Sequence, residues 1–495
     1  MAAGLLIVPL AAWGDVTDQT SGSPPAGTAH PGEPAPGSVG SWTHLGRTPW
    51  RTPWAQTPDT GPATLDAIAW EATKDDLGRE LFFLGGVGVV VHEGLVCTTA
   101  IADGDPVALA FDAVSGLCQW SAPIQPPFAS SWSTPTIDKR NGTLLVAAGA
   151  ELRALSLADG STVWVAPLGY PVVNASPVVT SDRGPRDRAF ITDYSLFDLG
   201  VPGRLYCVNV DPYDAGVNPH QPGDVLWSAP LAGGEIGGSP SYASGRVFVA
   251  TSDGRVLAFD AGAESAPSPL WSFTNGSGDG FFGGVSVYDG AVYAATYDFG
   301  VGQLAGEMVK LDAATGALRW SVPCNRTDSV PVPLGEGLVA LSGGVPPDTF
   351  FFNHRSAPSL ELFQDLGGAA VMLWDSALDT WNDDGDGLLE NGEFLSVGGW
   401  THVPALVRAG GKTLLYVGAM DDDDLGGALF LPNAEMRLID PMRAPSDPLF
   451  VLDEMDEIGG SPAIVGQTLY SIGPEGLVAV RAPGRLNSRG PWGRR

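Results

Sequence analysis

The chain has 495 residues, 44% of them hydrophobic, and its 15 Trp residues can fill a large core, so it is not a disordered protein. Its 26 Lys and Arg against 56 Asp and Glu give a formal net charge of −30. That charge argues against a nucleic-acid partner, because basic side chains supply the affinity for phosphates. It suits a soluble protein that binds cations.

The N-terminal segment 1–14 reads MAAGLLIVPLAAWG and is apolar over a stretch too short to span a bilayer. Ala12 and Gly14 stand at the −3 and −1 positions of a cleavage site before Asp15. We therefore predict a signal segment at 1–14 and a secreted or periplasmic protein of the bacterial envelope. No later stretch is long and apolar enough to predict a transmembrane segment.

The rest of the chain divides by composition into three parts. Residues 15–60 are predicted to be a disordered linker rich in Pro, Gly and Ser, with a segment that leads into the folded domain. Residues 61–484 carry short alternating apolar runs and Gly or Asp turns, which indicate strands throughout. The basic tail 485–495 is predicted to be disordered.

One phrase is repeated along the strand-rich part. It reads VALAFDAVSGLCQW at 107–120, RALSLADGSTVW at 153–164 and VKLDAATGALRW at 309–320. Each copy is an alternating apolar run, a turn with Gly and a Trp. A second phrase, such as GGSPSY at 237–242, marks the first strand of each repeat. Repeats of this length predict an array of similar units.

Each repeat divides into four strands, which we label a to d. In 237–271 strand a is GGSPSYAS, strand b GRVFVATSDG, strand c RVLAFDAG and strand d SPLW. Seven aromatic residues mark seven complete repeats: Trp120, Trp164, Trp227, Trp271, Trp320, Trp374 and Phe450. After Phe450 only three strands follow, and the run AIAWEA with Trp70 can supply the fourth. We predict an all-β, eight-bladed propeller of four-stranded antiparallel blades, in which an N-terminal strand closes the last blade.

These phrases resemble the PQQ-like β-propeller repeats of quinoprotein alcohol and sugar dehydrogenases and of the outer-membrane assembly propeller BamB. The resemblance covers roughly residues 42–484. It includes SWTHLGRTPWRT at 41–52, which looks like the stretch before blade one in non-catalytic members. It implies that each Trp packs between neighbouring blades over a turn Gly. Six residues are structural on that basis: Trp120, Gly116, Trp164, Gly160, Trp320 and Gly316.

The catalytic members hold Ca²⁺ and PQQ in an axial funnel, and many place a pair of adjacent cysteines over the quinone. This chain has neither a Cys-Cys pair nor a CxxCH motif, so the resemblance does not favour PQQ, and no catalytic or quinone-binding residue is assigned. Four scattered cysteines, Cys97, Cys118, Cys207 and Cys324, are expected to be buried thiols on strands. One disulfide in an oxidising compartment is the alternative.

The segment NDDGDGLLENGE at 382–393 matches the EF-hand calcium loop. Calcium takes six to eight hard oxygen ligands, Gly387 permits the sharp turn, and the last Glu can bind with both oxygens. Asn at the first position removes a charge and weakens affinity; a solvated turn without an ion is the alternative. The predicted Ca²⁺ ligands are Asn382, Asp384, Asp386, the carbonyl of Leu388, Glu390 through a water, and Glu393.

Because strands alternate in direction, the d-to-a and b-to-c connections emerge at the same end of the ring, which we call the d-to-a end. The calcium loop and the run Asp421–Asp424 should therefore be neighbours there. Long b-to-c connections at 193–203, 297–307 and 342–358 join them, the last with Phe350–Phe352, which either folds back over its blade or anchors a partner.

The sequence predicts a non-catalytic scaffold with one structural Ca²⁺ that binds a protein, peptide or glycan at this end, a monomer being favoured. The resemblance also implies a BamB-like role in envelope assembly. The rival hypothesis is a calcium- and PQQ-dependent alcohol or sugar dehydrogenase.

Overall fold

The structure is a computed structural model. It describes residues 40–55, 61–62, 64–65, 67–83, 87–126, 133–195, 201–231, 234, 237–297, 306–345, 356–377, 397–409, 412–419, 433–444, 451–456, 459–473 and 476–481. Within these ranges the one helical element is a 3₁₀ turn, Gly184–Arg186. None of the described helical structure is long and apolar enough to cross a membrane.

The strands, numbered in chain order, form eight sheets, one for each blade, and the predicted eight-bladed propeller is confirmed. Blade 1 contains β3 (Leu81–Phe82), β4 (Val90–His92), β5 (Leu95–Ala102), β6 (Asp105–Asp112) and β7 (Cys118–Pro123). Blade 2 contains β8 (Thr136–Asp138), β9 (Thr143–Ala148), β10 (Glu151–Ser156) and β11 (Thr162–Pro167). Blade 3 contains β12 (Val178–Val179), β13 (Arg188–Thr192), β14 (Arg204–Asn209) and β15 (Val225–Pro230). Blade 4 contains β16 (Ser241–Ala243), β17 (Arg246–Thr251), β18 (Arg255–Asp260) and β19 (Trp271–Thr274).

The second half of the ring repeats the same order from the innermost to the outermost strand. Blade 5 contains β20 (Ser286–Tyr288), β21 (Ala291–Ala295), β22 (Gly306–Asp312) and β23 (Leu318–Cys324). Blade 6 contains β24 (Val332–Gly335), β25 (Leu338–Val345), β26 (Ser356–Asp365) and β27 (Ala370–Asp375). Blade 7 contains β28 (Ala405–Ala409), β29 (Lys412–Ala419), β30 (Asn433–Ile439), β31 (Val451–Asp456) and, parallel to β28, β1 (Trp54–Ala55). Blade 8 contains β32 (Ala463–Val465), β33 (Thr468–Ile472), β34 (Leu477–Val480) and β2 (Ile68–Ala72).

The predicted closure by an N-terminal strand is confirmed. Strand β2 pairs antiparallel with β34, with Ala72 opposite Leu477 and Trp70 opposite Ala479. The outermost strand of blade 8 therefore comes from the beginning of the folded chain. Joining the two ends of the array in one sheet leaves no open blade at either end of the ring.

Two predicted boundaries differ from the structure. In blade 4 strand d begins at Trp271, whereas the sequence pattern predicts that it ends at this residue. In blade 6 the strands β25 and β26 extend into the predicted connection 342–358, which shortens it to 346–355. In both cases the hairpin continues its ladder beyond the local turn signals, and sequence patterns locate the ends of strands poorly. Phe450 lies outside the described residues.

The repeated Trp and Gly residues meet between neighbouring blades, as expected. Gly160 has φ +70°, and a Cβ added to it would lie 2.7 Å from the ring of Trp120 in the preceding blade. The Trp120 indole also donates a hydrogen bond to the Leu157 carbonyl (3.0 Å). Gly160 therefore lies beneath the Trp of the preceding blade. The same relation joins Trp271 to Gly316, Trp164 to Gly223 and, across the closure, Trp70 to Gly116. The Trp320 indole instead donates to the Asp365 carboxylate (2.9 Å).

The second repeated phrase forms a ring of hydrogen bonds around the axis. In several blades a Ser or Thr comes directly before the Pro of the second phrase. Its hydroxyl accepts a hydrogen bond from the backbone amide at the same position of the preceding blade. Four bonds of this kind are Gly88 N to Thr134 Oγ1 (2.8 Å), Thr134 N to Ser176 Oγ (3.0 Å), Ser176 N to Ser239 Oγ (2.9 Å) and Val403 N to Ser461 Oγ (2.9 Å). We call this level the hydroxyl ring. Gly284 and Val330 occupy its two remaining positions.

The cysteines are free thiols, and each lies on a strand. Cys97, Cys207 and Cys324 are buried and Cys118 is half-buried. The expectation of buried thiols is confirmed for three of them. Burial raises the pKa of the Cys118 thiol to about 12, with the nearby Asp76 adding to the shift, so this thiol is protonated at neutral pH.

Candidate functional site: the two ends of the propeller axis

Residues 41–55 line the inside of the ring, so the contacts of the propeller begin before the predicted boundary at residue 61. Their backbone, together with the side chains of His44 and Trp54, is hydrogen-bonded to the innermost strands three positions beyond the hydroxyl ring, about 10 Å further along each strand towards the a-to-b hairpins. One hydrogen-bonded contact reaches each of blades 1 to 7. In the order of the blades these contacts are Trp42 with Val91 (2.7 Å), Ile137 N to Thr43 O (2.8 Å), Val179 N to His44 Nε2 (3.3 Å), Tyr242 N to Pro49 O (2.8 Å), Val287 N to Trp50 O (2.9 Å), Trp54 Nε1 to Pro333 O (2.7 Å) and Leu406 N to Pro53 O (2.7 Å). Gly61 N reaches blade 8 through the Gly466 carbonyl (3.1 Å).

Arg51 fixes this segment to the ring. Its side chain is 0% exposed and donates to the carbonyls of Pro240 (Nε, 2.9 Å), Ser176 (Nη2, 2.7 Å) and Leu45 (Nη1, 3.2 Å). These acceptors belong to blade 4, blade 3 and the segment itself. Burial lowers the pKa of the guanidinium to about 9, so it remains charged at neutral pH. A buried cation held by three carbonyls makes the a-to-b end of the axis a fixed part of the fold.

At the d-to-a end, the stems of two long connections of blades 6 and 7 are hydrogen-bonded together. Gly398 N, just before strand a of blade 7, donates to Gly418 O at the end of its strand b (2.6 Å). Gly418 N donates to His402 Nε2 (2.9 Å), and burial lowers the pKa of His402 to about 3, so the ring is neutral. A Cβ on Gly398 would also lie 2.3 Å from the Ser359 carbonyl of blade 6.

The predicted calcium loop and the acidic run are attached at these stems. The predicted calcium loop lies in the connection 376–404, which contains Gly398, and the acidic run lies in the connection 420–432, which begins two residues after Gly418. Their stems are therefore neighbours at one end of the ring, as the topology predicted. The ligand residues Asn382, Asp384, Asp386, Leu388, Glu390 and Glu393 lie outside the described residues, as do Asp421–Asp424 and Phe350–Phe352. The calcium site remains a prediction.

A buried polar cluster connects blades 5 and 6 at the same end. The Glu361 carboxylate on β26 accepts two bonds from the Asn325 amide (2.9 and 3.0 Å), and the Asn325 side chain donates to Ser359 Oγ (2.9 Å). Burial, with the nearby Asp375 carboxylate, raises the pKa of Glu361 well above its ordinary value. This cluster holds the d-to-a connection between the two blades in place.

Asp328 lies on that connection, at the inner side of the ring. Its amide donates to the Trp400 carbonyl of the next blade (2.7 Å), while the carboxylate atom Oδ1 is buried and accepts no hydrogen bond within the described part of the chain. Desolvation raises the pKa of Asp328 to about 7. The residue as a whole remains half-buried, so part of its surface is open to solvent.

Three aromatic rings stand beside Asp328. Tyr297 packs on Trp400 with centroids 5.6 Å apart and on Phe282 at 5.9 Å. The Arg326 guanidinium lies 5.9 Å from the centre of the Tyr297 ring. Burial raises the pKa of Tyr297 beyond its ordinary range, and the Asp328 charge adds to the shift, which places the two side chains within electrostatic reach. Sequence reasoning missed this group because its members come from three blades and share no spacing motif.

The described side chains at this end offer few groups that could hold a metal ion. Within the described ranges, no three His, Cys, Asp or Glu side chains are grouped so that they could hold a metal ion. The buried Glu361 carboxylate already accepts bonds from Asn325, which leaves Asp328 as a single carboxylate beside the aromatic rings. No chemical step through a quinone follows from this arrangement.

Comparison with known proteins supports the resemblance. Residues 37–211 match the family model described as "Outer membrane protein assembly factor BamB". No curated protein matches the chain. The solved structure of BamB from Moraxella catarrhalis has a TM-score of 0.51 and 14% identity, over 81% of this chain and 97% of that one.

Two quinohemoprotein alcohol dehydrogenases share the same fold. The one from Comamonas testosteroni has a TM-score of 0.57 and 13% identity, and ADHIIG from Pseudomonas putida HK5 has 0.56 and 12%. Each comparison covers 92% of this chain and 82% of the other. At these identities the similarity shows the fold alone, which hosts both an assembly factor and dehydrogenases.

Proposed function

We propose that this PQQ-like propeller is a non-catalytic scaffold of the bacterial envelope, secreted or periplasmic, that binds a protein or peptide through its d-to-a end. The observation that carries the proposal is the asymmetry of the axis. At the a-to-b end, residues 41–55 already pair with the innermost strands, so a ligand from that side meets the chain's own backbone. The d-to-a end carries the long connections 346–355, 376–404 and 420–432.

The negative charge of the chain supports a basic partner. The chain has a net charge of −30, and the acidic residues of 382–393 and 421–424 belong to connections of this end. Acidic clusters on a rigid scaffold speed association with a basic partner and weaken its binding at high salt. A single Ca²⁺ in 382–393 would order the connection between blades 6 and 7 and offset part of that charge.

Site-specific photocross-linking in the native envelope tests the binding face. One variant carries the photoreactive residue at Asp422, in the b-to-c connection of blade 7, and the matched variant carries it at Asp159, in an exposed c-to-d turn of blade 2 at the other end. A specific adduct from position 422 but not from 159 supports the proposal. Adducts from 159 alone, or equally from both, contradict it, and digestion of the adduct separates a protein from a glycan partner.

A BamB-like role is the narrower form of the proposal, supported by the family match over residues 37–211. It predicts that the adduct at Asp422 contains an outer-membrane assembly protein. Deletion of the gene should also lower the level of folded outer-membrane proteins. A deletion strain with normal outer-membrane proteins would rule out this narrower role and leave the scaffold proposal in place.

A calcium- and PQQ-dependent alcohol or sugar dehydrogenase is the second candidate, favoured by the fold shared with the two quinohemoprotein alcohol dehydrogenases. Purified protein incubated with Ca²⁺ and PQQ should then reduce an artificial electron acceptor in the presence of an alcohol or sugar. Turnover abolished by omission of PQQ supports the enzyme, and no turnover across a broad panel of substrates supports the scaffold.

A further inference from the structure

The strongest unexplained feature of the d-to-a end is the carboxylate of Asp328. Its Oδ1 atom is buried and has no hydrogen-bond donor within the described residues, whereas its backbone amide donates to the Trp400 carbonyl. Burial of a carboxylate oxygen without a hydrogen-bond donor costs free energy, and a ligand that brings a positive charge to Asp328 would offset that cost. As a residue Asp328 is half-buried, so a ligand can approach it, although the Oδ1 atom itself has no surface open to solvent and must be uncovered for direct contact.

The surroundings of Asp328 indicate what the ligand is. Phe282, Tyr297 and Trp400 form a contiguous set of aromatic rings beside it, and aromatic faces attract cations. The Arg326 guanidinium at 5.9 Å from the Tyr297 ring shows that this set already takes part in one cation–π contact. A carboxylate next to aromatic rings is a receptor for a positively charged group.

We propose that Asp328, Phe282, Tyr297 and Trp400 bind the side-chain ammonium of a lysine that a protein or peptide partner inserts at the d-to-a end of the axis. This inference rests on the proposed scaffold function and names the chemistry of its ligand. We favour an ammonium because it is a compact point charge, which suits a largely buried carboxylate, whereas the broad planar guanidinium of arginine prefers two parallel bonds to one accessible carboxylate. The net charge of −30 favours the approach of such a partner.

The probe is N-acetyl-lysine methylamide, titrated into the full-length protein by ligand-observed NMR at physiological salt. N-acetyl-norleucine methylamide is the matched probe without the ammonium. We expect the lysine probe to bind and the norleucine probe to bind at least tenfold more weakly. Equal binding of both probes would overturn the proposal, since the carboxylate would then contribute nothing.

Two variants locate the site. Asp328→Asn should weaken binding of the lysine probe about tenfold, and Phe282→Leu about threefold, as expected for a lost ion pair and a lost cation–π contact. Asp289→Asn removes the same charge from the exposed a-to-b hairpin of blade 5 and should leave binding unchanged. Wild-type affinity in Asp328→Asn, or an equal loss in Asp289→Asn, would overturn the proposal.

A folding defect in a variant can be distinguished from a loss of binding. Asp328→Asn removes a buried charge that lacks a partner in the described residues, so its melting temperature should equal or exceed that of the wild type. Should Asp328→Asn fail to fold, Phe282→Leu alone decides: unchanged binding overturns the proposal. The cross-link at position 422 does not depend on Asp328. If the cross-link forms and Asp328→Asn still binds the lysine probe normally, this inference is overturned and the scaffold function stands. If no cross-link forms at position 422, the scaffold function itself is contradicted.

Discussion

Gly398 and Gly418 are joined by a hydrogen bond of 2.6 Å from the amide of the first to the carbonyl of the second. The bond connects the stem of the predicted calcium loop to the stem of the acidic connection in blade 7. Both positions are glycine because a Cβ on either would lie within 2.5 Å of a neighbouring carbonyl oxygen, Ser359 O or Gly459 O. The two connections therefore share a hydrogen-bonded base.

Removal of calcium should lower the stability of the protein. We expect EGTA to lower the melting temperature by several degrees and Asp386→Ala to abolish most of that response, because position 5 of the loop is a direct ligand. Asp422→Ala, in the neighbouring acidic connection, is the matched control and should retain the response. Calorimetric melting curves that are identical with and without EGTA would exclude a bound calcium.

The contact between Trp70 and Gly116 should stabilise the closure of the ring. A Cβ at Gly116 would lie 2.5 Å from the Trp70 ring, and the residue has φ +71°. Gly290 has φ +70° with nothing within 4 Å of the added Cβ, so Gly290→Ala isolates the cost of backbone strain. We expect Gly290→Ala to lower the free energy of unfolding by about 1 kcal/mol and Gly116→Ala by about 2–4 kcal/mol. Urea unfolding monitored by fluorescence measures the difference, and equal losses would show that Trp70 moves aside freely.

Arg51 should be among the most sensitive polar positions of the fold. Arg51→Met keeps the length of the side chain but removes its bonds to the carbonyls of Leu45, Ser176 and Pro240, and we expect a loss of about 3 kcal/mol. Arg319→Met breaks an exposed ion pair with Asp312 and should cost less than about 1 kcal/mol. Similar midpoints of urea denaturation for the two variants would contradict a central role for Arg51.

The neutral His402 predicts a loss of stability in acid. Its folded pKa of about 3 lies below the ordinary value of 6.5, so between these pH values the unfolded chain binds the additional proton. Stability therefore falls as the pH is lowered through this window, with a slope of about 1.4 kcal/mol per pH unit for this one group.

His402→Gln keeps an acceptor for the Gly418 amide but does not titrate. The loss of unfolding free energy between pH 6.5 and pH 5 should be smaller in this variant by about 2 kcal/mol. His220→Gln, near the surface beside Glu264, is the control for substitution of a histidine. An unchanged pH dependence in His402→Gln would show that His402 is not the responsible group.

The fold could be predicted from sequence because its main contacts recur. Trp120 and Gly160 carry the same relation as Trp271 and Gly316, so a local phrase repeated along the chain reports a contact between blades. Trp70 could be assigned to the last blade because that blade lacked one strand. The Ser and Thr residues of the second phrase, such as Ser176, were visible as a pattern, but their bonds to the preceding blade depend on closure of the ring.

The candidate site could be predicted only in part. The stems of the blade 6 and blade 7 connections follow from strand direction, which the repeat establishes. The group of Asp328, Tyr297 and Trp400 could not be predicted from the repeat. Each is a single residue in a different part of the ring, and only the circular arrangement of the blades brings them together. Arg51 lies in a short phrase of the N-terminal segment, and two of its three carbonyl acceptors, Pro240 and Ser176, are more than 100 residues away.

The path of residues 41–55 has a consequence for how the molecule unfolds. In an ordinary repeat array each unit touches only its neighbours, so units can open one at a time. Here one short segment is hydrogen-bonded to the inner strands of seven blades, and Gly61 adds the eighth. Local opening of any blade releases part of this common segment and weakens its hold on the others. We therefore expect slow amide hydrogen exchange to be shared by the inner strands of all blades, and the ring to melt in one cooperative step.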